Sequence, residues 1–256
     1  MDQKLRILLT NDDGIDAPGL NALAESLKDL ADIYIAAPER QKSAVSSALN
    51  ISNPLRVYEN RQNGFCRRYA ITGTPADCVK LALTTLLDFR PDLLISGINH
   101  GENTAINILY SGTVAGAAEG TLFGIPSIAS SVASHDYETD MAAAVHYTRT
   151  IAEKVLSEGL PDGVMLNVNV PSLGLDDIKG VKITRQSNNV WKDKYEARTD
   201  PFGRTYYWFA GSFDRKDCDP ESDDQAMNDG YVSVTPLEFN FTSFETIEKI
   251  KSFFSN

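Results

Sequence analysis

Four polar clusters hold the residue types that could do chemistry, and each comes just after a short apolar run or opens a helix. The first is Thr10-Asn11-Asp12-Asp13-Gly14. Adjacent carboxylates in a regular strand point to opposite faces. At a strand end that turns through Gly14 they can approach each other instead. Two such charges ~4 Å apart repel by about 4 kcal/mol at an effective dielectric near 20. A close pair therefore needs a proton, solvent or a cation, and hard oxygen ligands favour magnesium, manganese or calcium over zinc. The bland alternative is a solvated turn, which the position after a buried first strand weakens.

The second cluster, Pro38 to Ser43, brings hydroxyls at Ser43, Ser46 and Ser47 and positive charge at Arg40 and Lys42. Taken alone it reads as a surface loop. In the third, Ser96-Gly97-Ile98-Asn99-His100-Gly101-Glu102-Asn103, Asn99 can offer a carbonyl oxygen to a metal and Asn103 an amide donor to phosphate. His100 can transfer protons or touch a substrate, whereas His135 and His146 read as structural or exposed. The fourth, Tyr110-Ser111-Gly112-Thr113-Val114, opens a helix of small residues. Free N–H groups at a helix start favour an anion, although a plain Ser or Thr cap looks the same in sequence.

These clusters need a scaffold. Leu5–Leu9, Ile33–Ala37, Pro91–Ile95, Ile125–Val132 and Val164–Val170 read as buried strands. Helical patterns alternate with them at Pro18–Leu30, Thr74–Phe89, Gly112–Phe123 and Tyr137–Glu158. Asp16 is expected to cap the first helix, and Thr74, Pro75 and Asp77 to open the second as cap, first residue and first-turn acid. The alternation implies an α/β fold, a Rossmann-like, mostly parallel sheet with helices on both faces and ligands at the carboxyl ends of its strands. Beyond Pro171 the strands Val181–Arg185, Thr205–Ala210 and Tyr231–Val234 have no helices between them. The expected division is a core at 1–171 and a β-rich, hairpin-like extension at 172–256, with Asp214–Asp229 as a flexible acidic loop and Phe244–Phe254 as a final helix.

Bulk properties narrow the field. With 35 acidic residues against 24 basic, the net charge of −11 argues against a polymeric nucleic-acid partner. Cys66, Cys78 and Cys218 fit reduced thiols. The first apolar run is too short for a secretory signal and no stretch reaches membrane-spanning length, so a soluble, cytoplasmic protein is expected. GxxxxGK[ST], GxGxxG and GxSxG are all missing. Gly14 stands where an Asp-x-Asp phosphatase or glycosyltransferase would need its second Asp.

Together the clusters resemble the SurE family, the stationary-phase survival proteins with 5′/3′-nucleotidase activity. The resemblance runs through Ile7–Gly14 with Ala17-Pro18-Gly19, Ala37-Pro38 to Ser43, Gly73–Cys78, Ser96–Asn99 with Gly101 and Asn103, Tyr110–Val114 with Glu119-Gly120, and Gly230–Leu237. It implies one divalent ion per subunit, Mg²⁺ or Mn²⁺, on Asp12, Asp13, Ser43 and Asn99, and phosphate contacts from Asn103, Ser111, Gly112 and Thr113. It also implies a homodimer or homotetramer exchanging C-terminal elements. The expected chemistry is metal-assisted hydrolysis of nucleoside monophosphates and other phosphomonoesters, with Asp12, Asp13 and Asn103 as catalytic residues. Either aspartate can take the proton, and an aspartyl-phosphate intermediate stays open. The rival is a non-catalytic nucleotide-binding regulatory module, against which the intact ligand positions argue. Ala44 departs from the family, which usually has Gly there, and Ser187–Asp219, the least family-like stretch, is expected to shape substrate choice.

Overall fold

The computed structural model describes residues 4–60 and 66–255. Residues 61–65 lie outside that set. The chain runs β1 (Leu5–Thr10), α1 (Pro18–Leu27), β2 (Ala31–Pro38), β3 (Val57–Asn60), β4 (Cys66–Ile71), α2 (Pro75–Leu81), β5 (Leu93–His100), α3 (Gly112–Leu122), β6 (Ser127–Val132), α4 (Ala142–Glu158) and β7 (Val164–Val170). It continues with β8 (Val181–Ile183), β9 (Val190–Thr199), β10 (Thr205–Asp214), α5 (Asp223–Asn228), β11 (Val232–Glu238) and α6 (Phe244–Ser252). A 3-10 turn at Ala105–Leu109 links β5 to α3.

Nine strands form one sheet in the order β3-β4-β2-β1-β5-β6-β7-β11-β8. Among the described residues its pairings are antiparallel only at β3–β4 and β7–β11. β1 explains why the central strands read as unbroken apolar runs: Ile7 and Leu9 join the core under α1 and α4, while Leu8 joins the one under α2 and α3. A strand covered on both faces has no polar side to show. The chain leaves β1 for β2 on one side and β5 lies on the other, so a crevice opens beyond the end of β1. The polar clusters occupy that crevice.

Thr74 caps α2 as expected: its hydroxyl accepts from Asp77 N at 3.2 Å, and Asp77 Oδ2 accepts from Thr74 N at 3.0 Å. Asp16 does not cap α1. Pro18 begins the helix, so the capping position falls on Ala17, and Asp16 sits in solvent 3.6 Å from Arg68. α4 starts at Ala142 rather than Tyr137; Tyr137 belongs to the preceding loop, where it lines the crevice.

The last third divides in two. β8 and β11 extend the main sheet, while β9 and β10 leave it as a separate antiparallel arm. Asn189 staples the arm's base: its Oδ1 accepts from Lys216 N and Asp217 N, both at 2.7 Å, and its Nδ2 donates to Asp217 O at 3.0 Å. The acidic segment is not a loose loop. Asp217 and Asp219 grip the Arg185 guanidinium at 2.7 and 2.8 Å, and Asp223 and Asp224 are buried in the first turn of α5.

Candidate active site

β1 ends at Thr10, and Asn11 folds the next residues into a tight turn. Its Nδ2 donates to Gly14 O at 3.0 Å, and its Oδ1 accepts from Gly14 N at 3.2 Å. Gly14 holds φ +103°, which favours glycine, and a Cβ there would stand 3.3 Å from Arg40 C and Gln41 N. The second cluster is laced to this turn by Lys42 N donating to Asp12 O (2.6 Å) and Ile15 N to Pro38 O (2.8 Å). That lacing brings Ser43 beside the aspartates. Gln41 Nε2 lies 2.9 Å from Ser43 Oγ, 3.4 Å from Asp13 Oδ1 and 2.7 Å from the Tyr137 hydroxyl.

Asp12 is 4% exposed, and the Thr113 hydroxyl donates to its Oδ1 at 2.6 Å. Burial pushes its carboxyl up to about 6; the Thr113 bond opposes the rise and the charge of Asp13 adds to it. Gly112 is forced by the same contact, since a Cβ there would stand 2.9 Å from both Cβ and Oδ2 of Asp12. Asp13 Oδ2 accepts from the backbone N–H of His100 at 3.2 Å and lies 3.6 Å from His100 Nδ1. The His100 ring is buried against Tyr137, centroids 4.6 Å apart, and neither ring nitrogen has a hydrogen-bond partner among the described residues.

The third cluster is held from beneath. Asn103 N donates to Asn169 Oδ1 (2.8 Å), and Asn103 O accepts from Asn167 Nδ2 (2.7 Å). Its side-chain Nδ2 donates to Ser131 Oγ at 2.8 Å. Asn99 spends its nitrogen on Gly101 O at 2.7 Å, which leaves its carbonyl oxygen for the crevice. At the start of α3 the Ser111 hydroxyl accepts from Val114 N at 3.1 Å, so the plain capping role is present. Ala44 adopts φ +56°, the left-handed backbone that suits glycine.

Asp12, Ser43, Asn99, Asn103 and Ser111 line one cleft of about 920 Å³. Asp13, Gly112 and Thr113 stand one contact behind it, Asp13 through Gln41 and His100, the other two against Asp12. Two carboxylates, a hydroxyl and an amide oxygen make an all-oxygen donor set, which fits a hard divalent cation. Burial makes the charge of Asp12 costly, and such an ion would offset that cost.

Sequence reasoning missed Gln41, which has no pattern to mark it; His135 is exposed, as read, but it also faces the cleft. His135 lines the cleft over Gly101, where a Cβ would meet its Cε1 at 2.5 Å. The opposite wall comes from the arm, through Val190, Trp191, Asp193, Tyr195 and Phe209; they lie within the Ser187–Asp219 stretch expected to shape substrate choice, but no sequence pattern singled them out.

An open sheet, mostly parallel, with its polar cleft at the carboxyl end of the central strand defines a doubly wound α/β protein. The family model for "Survival protein SurE" matches residues 7–193. The chain belongs to the SurE family. It is 42% identical to the 5′-nucleotidase SurE of Christiangramia forsetii over 259 residues, covering 99% of this chain and 98% of that protein. It is 44% identical to the 5′-nucleotidase SurE of Heliobacterium modesticaldum over 247 residues, 96% of this chain and 90% of that one. The crystal structure of the SurE protein from Aquifex aeolicus superposes with a TM-score of 0.85 at 39% identity, covering 98% of this chain and all 100% of that one.

Proposed function

We propose that this chain is a 5′/3′-nucleotidase that hydrolyses nucleoside monophosphates, with one magnesium or manganese ion per subunit held by Asp12, Asp13, Ser43 and Asn99. Relatives named 5′-nucleotidase SurE, aligned over nearly the whole chain, support the reaction class. The observation that carries the site is Asp12, a carboxylate buried beside the start of α3 at the inner end of a nucleotide-sized cleft. When bound, the cation supplies charge neutralisation and Lewis acidity at the phosphoryl group.

The chain's own groups do the rest. The N-terminal turn of α3, at Ser111, Gly112 and Thr113, presents its positive dipole end and unshared N–H groups to the equatorial oxygens. Asn103, clamped through both backbone groups, has a second amide hydrogen beyond the one given to Ser131 and donates it to phosphate. The Thr113 hydroxyl fixes Asp12 by its Oδ1, leaving Oδ2 as the basic oxygen for the proton of the attacking water. Water adds to phosphorus in line and gives its proton to Asp12, the ester P–O bond breaks, and the nucleoside oxygen takes a proton from solvent as it leaves.

The protein is read as a cytoplasmic homodimer or homotetramer. Among the described residues no helix is long and apolar enough to cross a membrane. Phe244 on α6, with Phe253 and Phe254 just beyond it, gives the C-terminal 172–256 extension exposed apolar surface for a second subunit. The deciding experiment is phosphate release from a panel of nucleoside monophosphates with magnesium, manganese or EDTA. Release should stop with EDTA and return with the metal. Turnover surviving full demetallation would remove the cation, and no release from any monoester would leave only a nucleotide-binding module.

A further inference from the structure

The arm turns one of its two faces into the cleft. Alternation along β9 puts Trp191, Asp193 and Tyr195 on that face and Lys192, Lys194 and Glu196 on the other. Register pairs Trp191 with Phe213, Asp193 with Gly211 and Tyr195 with Phe209. The same face therefore carries two aromatic pairs, packed edge to face at 5.6 and 5.5 Å, on either side of a position with no side chain. Gly211 is required there: its φ is +147°, and a Cβ would stand 2.5 Å from Lys192 O.

These rings have not been used up by the fold. Tyr195 is 64% exposed, Phe209 60% and Trp191 41%. Nor is the wall free to drift from the polar one, because Trp191 Nε1 donates to Asn107 Oδ1 at 2.8 Å, in the 3-10 turn that follows Asn103. Asp193 has no ion-pair partner among the described residues, since Lys192 and Lys216 are both drawn to Asp214, at 3.1 and 3.0 Å. An unpaired carboxylate between flat apolar rings, across a cleft from the phosphate-binding groups, matches a planar heterocycle with N–H donors at its edge.

We propose that this face is the nucleobase subsite of the cleft, with the base stacked on the rings of Trp191 and Tyr195 and one of its N–H groups donating to Asp193. The proposal rests on the nucleotidase reading and adds to it which groups recognise the substrate beyond its phosphate. Recognition here falls on a segment outside the catalytic strands, so it can be removed without touching the groups that hold phosphate.

The test compares a nucleoside monophosphate with ribose 5-phosphate, which has the phosphate and sugar but no base. Tyr195→Ala and Asp193→Asn should each lower the ratio of kcat/KM for the nucleotide to that for ribose 5-phosphate, Tyr195→Ala by about ten-fold, through KM rather than kcat. An unchanged ratio in both variants overturns the proposal. A second readout needs no turnover. The chain has two tryptophans, so in a Trp208→Phe background the fluorescence reports Trp191. Adenosine, which has no phosphate, should quench it saturably, and less so when Tyr195→Ala is added. Absence of quenching by adenosine in a protein that hydrolyses nucleotides overturns the subsite and leaves the hydrolase. Quenching without hydrolysis of any monoester supports the subsite and sinks the hydrolase.

Discussion

The two walls of the cleft are built in opposite ways. The polar wall stands on the ends of β1 and β5 and the start of α3, and its groups are buried and tied from several sides. Among the described residues the arm wall stands on two strands that pair only with each other, its rings are exposed, and it is tied to the polar wall through Trp191 on Asn107 and, at its root, through Asp223. A reacting group misplaced by about 1 Å can cost 100-fold in rate, whereas a stacking surface tolerates adjustment. On the proposed assignment, rigidity is concentrated where bonds are to be broken, and adaptable surface where substrates are to be told apart.

The sharpest way to break the polar wall is Asp12→Asn, which keeps the acceptor for Thr113 and removes the charge. Phosphate release should fall at least about 1,000-fold, the scale of losing a main electrostatic group. The metal-free protein should become more stable. The folded carboxyl sits near 6 against 3.8 for the free group, so the cost of its charge is absent below pH 3.8 and fully present above about 6. At pH 8 the variant should gain about 1–3 kcal/mol in urea denaturation, a difference that vanishes at low pH. A variant no more stable than the parent would mean that Asp12 is not strained by burial.

Gly112→Ala attacks the same wall by shape. Its Cβ would stand 2.9 Å from Asp12 Oδ2, so steady-state kinetics should show kcat/KM reduced by about 10- to 100-fold in a protein that still folds. Asp223→Asn tests the joint between the walls. This buried carboxylate accepts from Ala105 N at 2.9 Å and Ser187 N at 3.0 Å, tying the turn after Asn103 to the root of the arm. An amide turns an N–H towards one of those donors, costing about 1–3 kcal/mol in a chemical melt. KM for nucleotides should rise more than kcat falls. Ala44→Gly carries the smallest effect: relief of a left-handed alanine at φ +56°, offset by glycine's unfolded-state entropy, leaves a gain of about 0.5 kcal/mol in the same melt.

The polar wall was far more legible in the sequence than the arm, for a physical reason. Strands buried on both faces print continuous apolar runs, and Leu5–Leu9 needs no partner to be recognised. The turns and caps next to such strands are local too: Asn11, Gly14 and the Thr74–Asp77 box bond within three residues of themselves. The arm is set by distant partners. Nothing near Asp217 or Asp223 in sequence announces Arg185, Ala105 or Ser187, so the acidic stretch read as a loop. Thr205–Ala210 was recognisable as a strand, but alternation cannot say which sheet it joins, or that its opposite face would meet a cleft. Likewise β11 shows no sign in its own residues of running antiparallel to β7.

The amide of Asn189, which holds Lys216 and Asp217 where the chain returns, gives the molecule something like a socket. Whatever is threaded between those points begins and ends at one side chain, and lengthening such an excursion costs only a slowly growing closure entropy. Insertions, deletions or a transplanted hairpin between 190 and 214 are thus borne by the socket and not by the strands that carry the aspartates. The excursion is the part of this architecture that can be exchanged as a unit.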